Sequence, residues 1–294
     1  MAKRVLITGG NGFIARSLSE SFPSWYEIDR FGRDELDLLD STSVESLIKE
    51  KIYDVVIHAA TYDAAPRFST KDPSLVLQNN LKMFFNISRC ADHFGKMIYY
   101  GSGAEFGREN WNPKMQETYF DQNVPTDPYG LSKYIMTKHT LSSKNIYNLR
   151  LFGVFGEYDD WRYRFISNAC FKSVLNKPIS YRKNVFFDFL YIKDLVKITE
   201  WFVENSPSPK VYNTCSGTSI DYQTLAEKIV KLSDKDLDVI PLHPGLGVEY
   251  SGDNTLLKDK IPDFTFTPID ESLELMCKWS KDNIGLIDEK LFEY

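Results

Sequence analysis

Tyr129 and Lys133, in the stretch YGLSK, stand four residues apart, which puts both side chains on one face if the segment is helical. A phenol beside an ammonium is proton-transfer chemistry. The cation favours the phenolate and so lowers a pKa that starts near ~10 towards a value useful at neutral pH. Such a tyrosine can give or take the proton of a substrate hydroxyl while a hydride moves to or from the carbon that bears it. Ser102, in YYGSGAEFG, offers a hydroxyl to the same oxygen. With 17 tyrosines in the chain, about one Tyr–Lys pair at this spacing is expected by chance, so spacing alone carries little weight. The order along the chain carries more: a glycine loop comes first, then the serine, then the pair.

That loop is Gly9-Gly10-Asn11-Gly12-Phe13-Ile14-Ala15, directly after the apolar run RVLIT. Gly9 permits a tight turn, Gly12 lets a pyrophosphate approach the backbone, and Ala15 lets the next helix pack close on the sheet. The helix start supplies free N–H groups and the positive end of its dipole. Gly9, Asn11, Gly12, Phe13 and Ile14 are therefore the residues expected around a dinucleotide pyrophosphate. No GK[ST] follows, which excludes a nucleoside-triphosphate loop. Specificity at the adenosine ribose is set where the second strand ends, in YEIDRFGRDELDLLD. An end at Asp29 favours NAD. An end at Gly32 turns Arg33 towards a 2′-phosphate and favours NADP, and the DLLD run makes this later end the more natural. Asp37 and Leu38 would then flank the adenine, with the carboxylate accepting from its amino group.

Strand-like runs at 4–8, 26–31, 53–58, 96–100 and 146–152 alternate with helical patterns at 13–22, 41–50, 73–94 and 129–143. Ser41 or Thr42 is the expected N-cap of the second helix. This alternation predicts an α/β fold, a Rossmann-type doubly wound parallel sheet over residues 1–156. In such sheets ligands sit at the carboxyl ends of the strands, where the glycine loop, Ser102 and the pair all fall. Beyond Gly156 the pattern loosens into helices at 161–175, 195–205, 221–232 and 269–281 and an extended stretch at 187–192, read as mainly a smaller C-terminal substrate-binding lobe over residues 157–294, with some segments returning to the Rossmann core.

Composition sets the outer bounds. The chain has 294 residues, 43% hydrophobic and 26% charged, with a net charge of −6. That acidic balance argues against a nucleic-acid partner. No apolar run is long enough to span a bilayer, and the chain enters a strand at once, so a cytoplasmic enzyme is expected. Cys90, Cys170, Cys215 and Cys277 are scattered, without CxxC or metal-ligand spacing, and read as buried free thiols.

The text TGGNGFIA, the HAA of His58–Ala60, Asn80 in QNNLKMFFN, GSGAEFG, YGLSK, RLFGVFG, DFLYIKD, NTCSG and YSGDNTLL runs nearly the length of the chain. In this order the chain resembles the extended short-chain dehydrogenase/reductase family, the nucleotide-sugar epimerases, dehydratases and reductases, nearest to its GDP-fucose synthase and dTDP-4-dehydrorhamnose reductase branches. The resemblance implies that the backbone at Ala59 and Ala60 lines the cofactor, that Asn80 supports the helix carrying the pair, and that Lys133 holds the nicotinamide ribose. It also implies a homodimer joined through the helices at 73–94 and 129–143.

Departures from the family pattern narrow the reaction. Dehydratases carry an Asp-Glu couple after the catalytic hydroxyl; here those positions are Gly103 and Ala104, and Glu105 falls one place late. The epimerising GDP-sugar branch uses a Cys where Ala104 stands and a His near Arg164. What remains is Ser102, Tyr129 and Lys133, enough for a 4-keto reductase or a 4-epimerase; a non-catalytic dinucleotide sensor is the third reading. The family's diphosphate-binding arginine is Phe187 here, and none lies in LHPGLGVEY. Arg164 and Arg182 are the candidate substitutes, with Arg162 and Lys183 behind them, and Glu105 is either a substrate contact or a turn carboxylate.

Overall fold

The computed structural model describes residues 2–63 and 69–292. Its first half alternates strictly: β1 (Arg4–Thr8), α1 (Phe13–Ser21), β2 (Glu27–Phe31), α2 (Ser41–Lys51), β3 (Val55–His58), α3 (Val76–Ser88), β4 (Lys96–Ser102), α4 (Pro128–Ser142) and β5 (Ile146–Leu151). The second half adds β6 (Gly153–Phe155), α5 (Phe165–Val174), β7 (Ile179–Tyr181), β8 (Phe186–Tyr191), α6 (Ile192–Glu204) and β9 (Val211–Thr214). It closes with β10 (Ser219–Asp221), α7 (Tyr222–Ser233), β11 (Val239–Pro241), the single turn α8 (Thr255–Lys258) and α9 (Ile269–Asp282).

Six strands form one parallel sheet in the order β2-β1-β3-β4-β5-β9. Strand β1 sits inside it and has no wet face, as its unbroken apolar run requires. Its residues alternate between two cores. Val5 and Ile7 join a cluster with Leu18 of α1 and Phe202 of α6, while Leu6 joins Ile48 of α2, Phe84 of α3 and Met136 of α4. The sheet is thus covered on both faces, and its carboxyl edge is left for the connecting loops. Two smaller sheets, β10-β8-β6 and β11-β7, are built from the second half. No helix among the described residues is long and apolar enough to cross a membrane.

Two local expectations are corrected. The cap of α2 is Asp40, not Ser41 or Thr42: its carboxylate accepts from the N–H groups of Thr42 at 2.9 Å and Ser43 at 3.4 Å. An anion satisfies those orphan donors and also complements the helix dipole. The long helix at 73–94 divides into a 3₁₀ turn at Pro73–Leu75, α3, and a second 3₁₀ turn at Ala91–His93. The side-chain amide of Asn145, more than fifty residues on, donates to the carbonyls of Ala91, Phe94 and Gly95 and bends this end of the chain into β4.

Candidate active site

The glycine turn is pinned between two strand ends. Gly10 N–H donates to Phe31 O at the end of β2, and Gly12 N–H to Gly9 O, each at 2.8 Å. Gly9 adopts φ +71°, and a Cβ there would lie 2.8 Å from the backbone of Ala60, just past β3. Only a residue without a side chain fits. No side chain caps the start of α1, so the N–H groups of Phe13 and Ile14 have no intrahelical acceptor and face the turn. A bare turn leading into an uncapped helix fits a dinucleotide pyrophosphate. Gly9→Ala should weaken dinucleotide binding about tenfold, from the left-handed strain and the displaced loop at Ala60. Titration calorimetry would read this, and an unchanged Kd would count against the turn as the phosphate site.

The other predicted cofactor residues surround this turn with differing fates. Strand β2 runs past Asp29 and ends at Phe31. The Asp29 carboxylate accepts the Tyr53 hydroxyl at 2.7 Å and lies 3.6 Å from Lys51 Nζ, so it is engaged within the fold. Arg33 is exposed just beyond the strand end, where Glu35 accepts from Gly32 N–H at 2.8 Å. Asn11 is exposed, its amide against Gly32. Asp37 is exposed and accepts from Leu39 N–H at 3.0 Å. Leu38 requires a correction, because its side chain is buried in the core beside α2 and α3 and only its backbone can meet a ligand. Asn80 requires another. Its carbonyl accepts from Tyr62 N–H at 2.8 Å and its amide donates to Tyr62 O at 3.0 Å. It therefore shapes the loop after β3; its amide is not presented to a cofactor, nor does it brace α4.

The serine, tyrosine and lysine come together as the sequence predicts. Asp127 caps α4, accepting from Gly130 N–H at 2.9 Å, with Pro128 at the first helical position. A Cβ on Gly130 would lie 2.6 Å from Ala104 O, so this glycine lets α4 press against the loop after β4. Tyr129 is thereby brought close enough to Ser102 for that hydroxyl to favour its ionised form. Lys133 lies with its Nζ 5.7 Å from the Tyr129 ring centre and donates to Tyr100 O at 2.8 Å.

The electrostatics reverse one expectation. Burial raises the Tyr129 pKa above its ordinary value and Asp63 adds to the rise; Arg164, the Ser102 hydroxyl and Arg108 oppose it. Burial also pushes Lys133 down to about 8, against the pull of Glu105 and Asp63. Burial thus outweighs the neighbouring cations and favours the protonated form of Tyr129. At neutral pH Tyr129 is a protonated phenol, ready to donate.

Asp63 and Tyr250 were not singled out from the sequence. Asp63 acts on Tyr129, Lys133 and Arg164 through space. The Tyr250 hydroxyl lies 3.4 Å from Ser102 Oγ, its ring against Trp111 with centres 4.0 Å apart. Its only signal was its place at the head of YSGDN.

Glu105 is corrected as a substrate contact. It is wholly buried, forms an ion pair with Arg150, and accepts from Thr137 Oγ1 at 2.7 Å. The carboxylate that follows Ser102 in the chain is consumed by the core.

Arg164 and Arg182 both line an open cleft of about 230 Å³ beyond the sheet edge. Phe165 and Tyr222 stack in its wall with ring centres 4.1 Å apart, beside Phe187 and Phe189 at 5.3 Å. Burial opposes the Arg164 charge, but Tyr163, Asp159, Tyr129 and Asp63 outweigh it and raise its pKa, so this guanidinium links the cleft to the phenol.

Asp159, also in the cleft wall, accepts from Ser167 Oγ at 2.9 Å, and burial pushes its pKa up to about 6. In the folded state it therefore holds a proton that the unfolded chain has released between pH ~4 and 6. Its contribution to stability is complete below ~4 and is lost as pH rises through about 6, at roughly 1.4 kcal/mol per pH unit of displacement. Asp159→Asn, neutral throughout, should flatten the fall in stability over that window. Urea melts at pH 4, 5 and 6 with parallel slopes for the two proteins would refute this.

A glycine turn at the head of a doubly wound parallel sheet, with a Ser-Tyr-Lys set at the same edge, defines the class of NAD(P)-dependent enzymes. Residues 5–215 match the NAD dependent epimerase/dehydratase family, and the chain belongs to it. It is 26% identical to a probable UDP-arabinose 4-epimerase 3 from Arabidopsis thaliana, over 94% of this chain and 80% of that protein. A GDP-L-fucose synthetase from Naegleria fowleri, bound to NADP, superposes with a TM-score of 0.81 at 17% identity, covering 96% of this chain and 95% of that one. The GDP-mannoheptose C4 reductase of Campylobacter jejuni, with NADP bound, does so with a TM-score of 0.81 at 15% identity, covering 95% and 98%. At these identities the two structures establish the shared fold.

Proposed function

We propose that the chain is an NADPH-dependent reductase of a nucleotide-linked 4-keto sugar. One arrangement carries the reading: Tyr129 stands beside Lys133 at the sheet edge, in a buried setting that favours its protonated form, while the neighbouring Glu105 is locked to Arg150. A protonated phenol suits donation to a nascent alkoxide, and a locked carboxylate supports no elimination of water. A bound pyridine dinucleotide would supply the hydride. Ser102 orients the substrate carbonyl and Tyr129 donates the proton; Lys133 bears on the ribose side and holds positive charge close to the phenol. The turn from Gly9 to Gly12, the N–H groups of Phe13 and Ile14, Asn11, and the backbone at Leu38, Ala59 and Ala60 hold the cofactor. Arg33, exposed beyond β2 while Asp29 is engaged, favours NADP over NAD, and Asp37 meets the adenine. Arg164 and Arg182 meet the diphosphate of the substrate, and the aromatic wall meets its flat and apolar faces. On the same reading the enzyme is a cytoplasmic homodimer through α3 and α4, which pack side by side.

A second reading is favoured by the likeness to a probable UDP-arabinose 4-epimerase: a nucleotide-sugar 4-epimerase with tightly held NAD. Purified protein separates the two. A reductase should consume one reduced dinucleotide per sugar reduced, with kcat/KM higher for NADPH than for NADH. An epimerase should copurify with dinucleotide and interconvert 4-epimers with none added, and that result would remove the reductase reading.

A further inference from the structure

Two of the four cysteines meet between α5 and α9, outside the Ser102, Tyr129 and Lys133 set. Cys170 lies on α5 and Cys277 on α9, 107 residues apart in the chain, with their sulfurs 3.2 Å from one another. The helices are held together around them, Phe171 of α5 against Trp279 of α9 with ring centres 5.9 Å apart, and Ile166, Leu273 and Met276 in one core cluster. Cys170 is fully buried and Cys277 is partly open to solvent. The other two thiols are engaged singly: Cys90 donates to Asn86 O at 3.6 Å and Cys215 to Gly252 O at 3.3 Å.

We propose that Cys170 and Cys277 are an oxidation site at which a peroxide installs a disulfide between α5 and α9. The accessible thiol reacts first. Cys277 Sγ, as thiolate, attacks one peroxide oxygen; the O–O bond breaks, and the second oxygen leaves as water with the thiol proton. Cys170 Sγ then displaces the hydroxyl from the sulfenic sulfur. The S–O bond breaks, the S–S bond forms, and a second water carries away the Cys170 proton. Two thiols are oxidised, one peroxide is reduced, and two waters are released. Burial holds the Cys170 thiol well above its ordinary pKa, so the resolving step sets the pace. A neighbour already at 3.2 Å favours the disulfide over further oxidation of Cys277. Helix α5 carries Phe165 and Ile166 of the cleft wall, so the bridge ties the cleft to the C-terminal helix.

The test is peroxide treatment of the native full-length protein, then denaturation, alkylation and intact mass analysis. The four cysteines should all label before treatment and two afterwards, with a linked 170–277 peptide and full labelling restored by dithiothreitol. Oxidised protein should melt about 5–10 °C higher, because the bridge closes a long loop in the unfolded chain. Cys277→Ser should keep the label on its remaining cysteines after peroxide and show no rise in Tm. Labelling of all four after treatment, a linkage through Cys90 or Cys215, or Cys277 recovered as sulfinate beside a free Cys170 would each overturn the proposal.

Discussion

Tyr129→Phe should lower turnover of an identified 4-keto substrate by about 10²–10⁴-fold, the range a positioned general acid contributes, while dinucleotide affinity stays within about twofold. The substitution keeps the ring, its place on the first turn of α4 and the cation beside its face, 5.7 Å from Lys133 Nζ. It removes the dissociable proton and the hydroxyl that stands near Ser102. Binding and chemistry should therefore separate, with kcat falling and the Kd for NADPH hardly moving. Ser102→Ala should fall less, because that residue orients the carbonyl and carries no proton of the reaction. Single-turnover measurements under saturating cofactor give the chemical step directly. A Phe variant within a few-fold of the parent rate would mean that another group, with Asp63 and Tyr250 the nearest to examine, supplies the proton.

The parts of this arrangement that local sequence encodes were legible in it. An apolar RVLIT with no polar alternation has to be an interior strand. A glycine loop directly after it reads as the first turn of a βαβ unit, and Gly9 there takes φ +71°. Tyr129 and Lys133 share a helix face by arithmetic, and Ser102 lies at the end of the neighbouring strand. Features set by long-range partners were not legible. Asn145 bends the chain at residues 91–95 from fifty residues away, and although some later segment is expected to return to the core, nothing local marks Val211–Thr214 as the one that extends the sheet. The sign of the Tyr129 shift fell in this second group. Spacing puts an ammonium near the phenol, but the degree of burial and the nearness of Asp63 decide which form is favoured, and both belong to the folded state. Glu105 failed for a related reason. A carboxylate after a catalytic serine looks available until Arg150, from the adjacent strand, is seen to claim it.

Glu105→Ala should destabilise the protein by about 3–5 kcal/mol, because it leaves the Arg150 guanidinium buried without its counter-ion. Both side chains are inaccessible to solvent, and among the described residues Arg150 has one further polar partner, Asn213 Oδ1 at 2.9 Å. Its Nη2 has no hydrogen bond among the described residues, so little slack exists to absorb the loss. The face of the guanidinium lies 4.4 Å from the Phe106 ring centre, a contact that holds it in place but cannot neutralise it. Thr137 and Asn148 would lose an acceptor in the same step. For a chain of this size the loss corresponds to a fall in Tm of about 10 °C. Replacing both partners, Glu105→Leu with Arg150→Met, should recover much of it, since apolar side chains of similar volume replace a buried pair at little net cost. The double variant also separates a structural Glu105 from a substrate-binding one. If the carboxylate belongs to the core, the refolded double variant keeps the KM of the parent; if it touches the sugar, stability returns and KM does not.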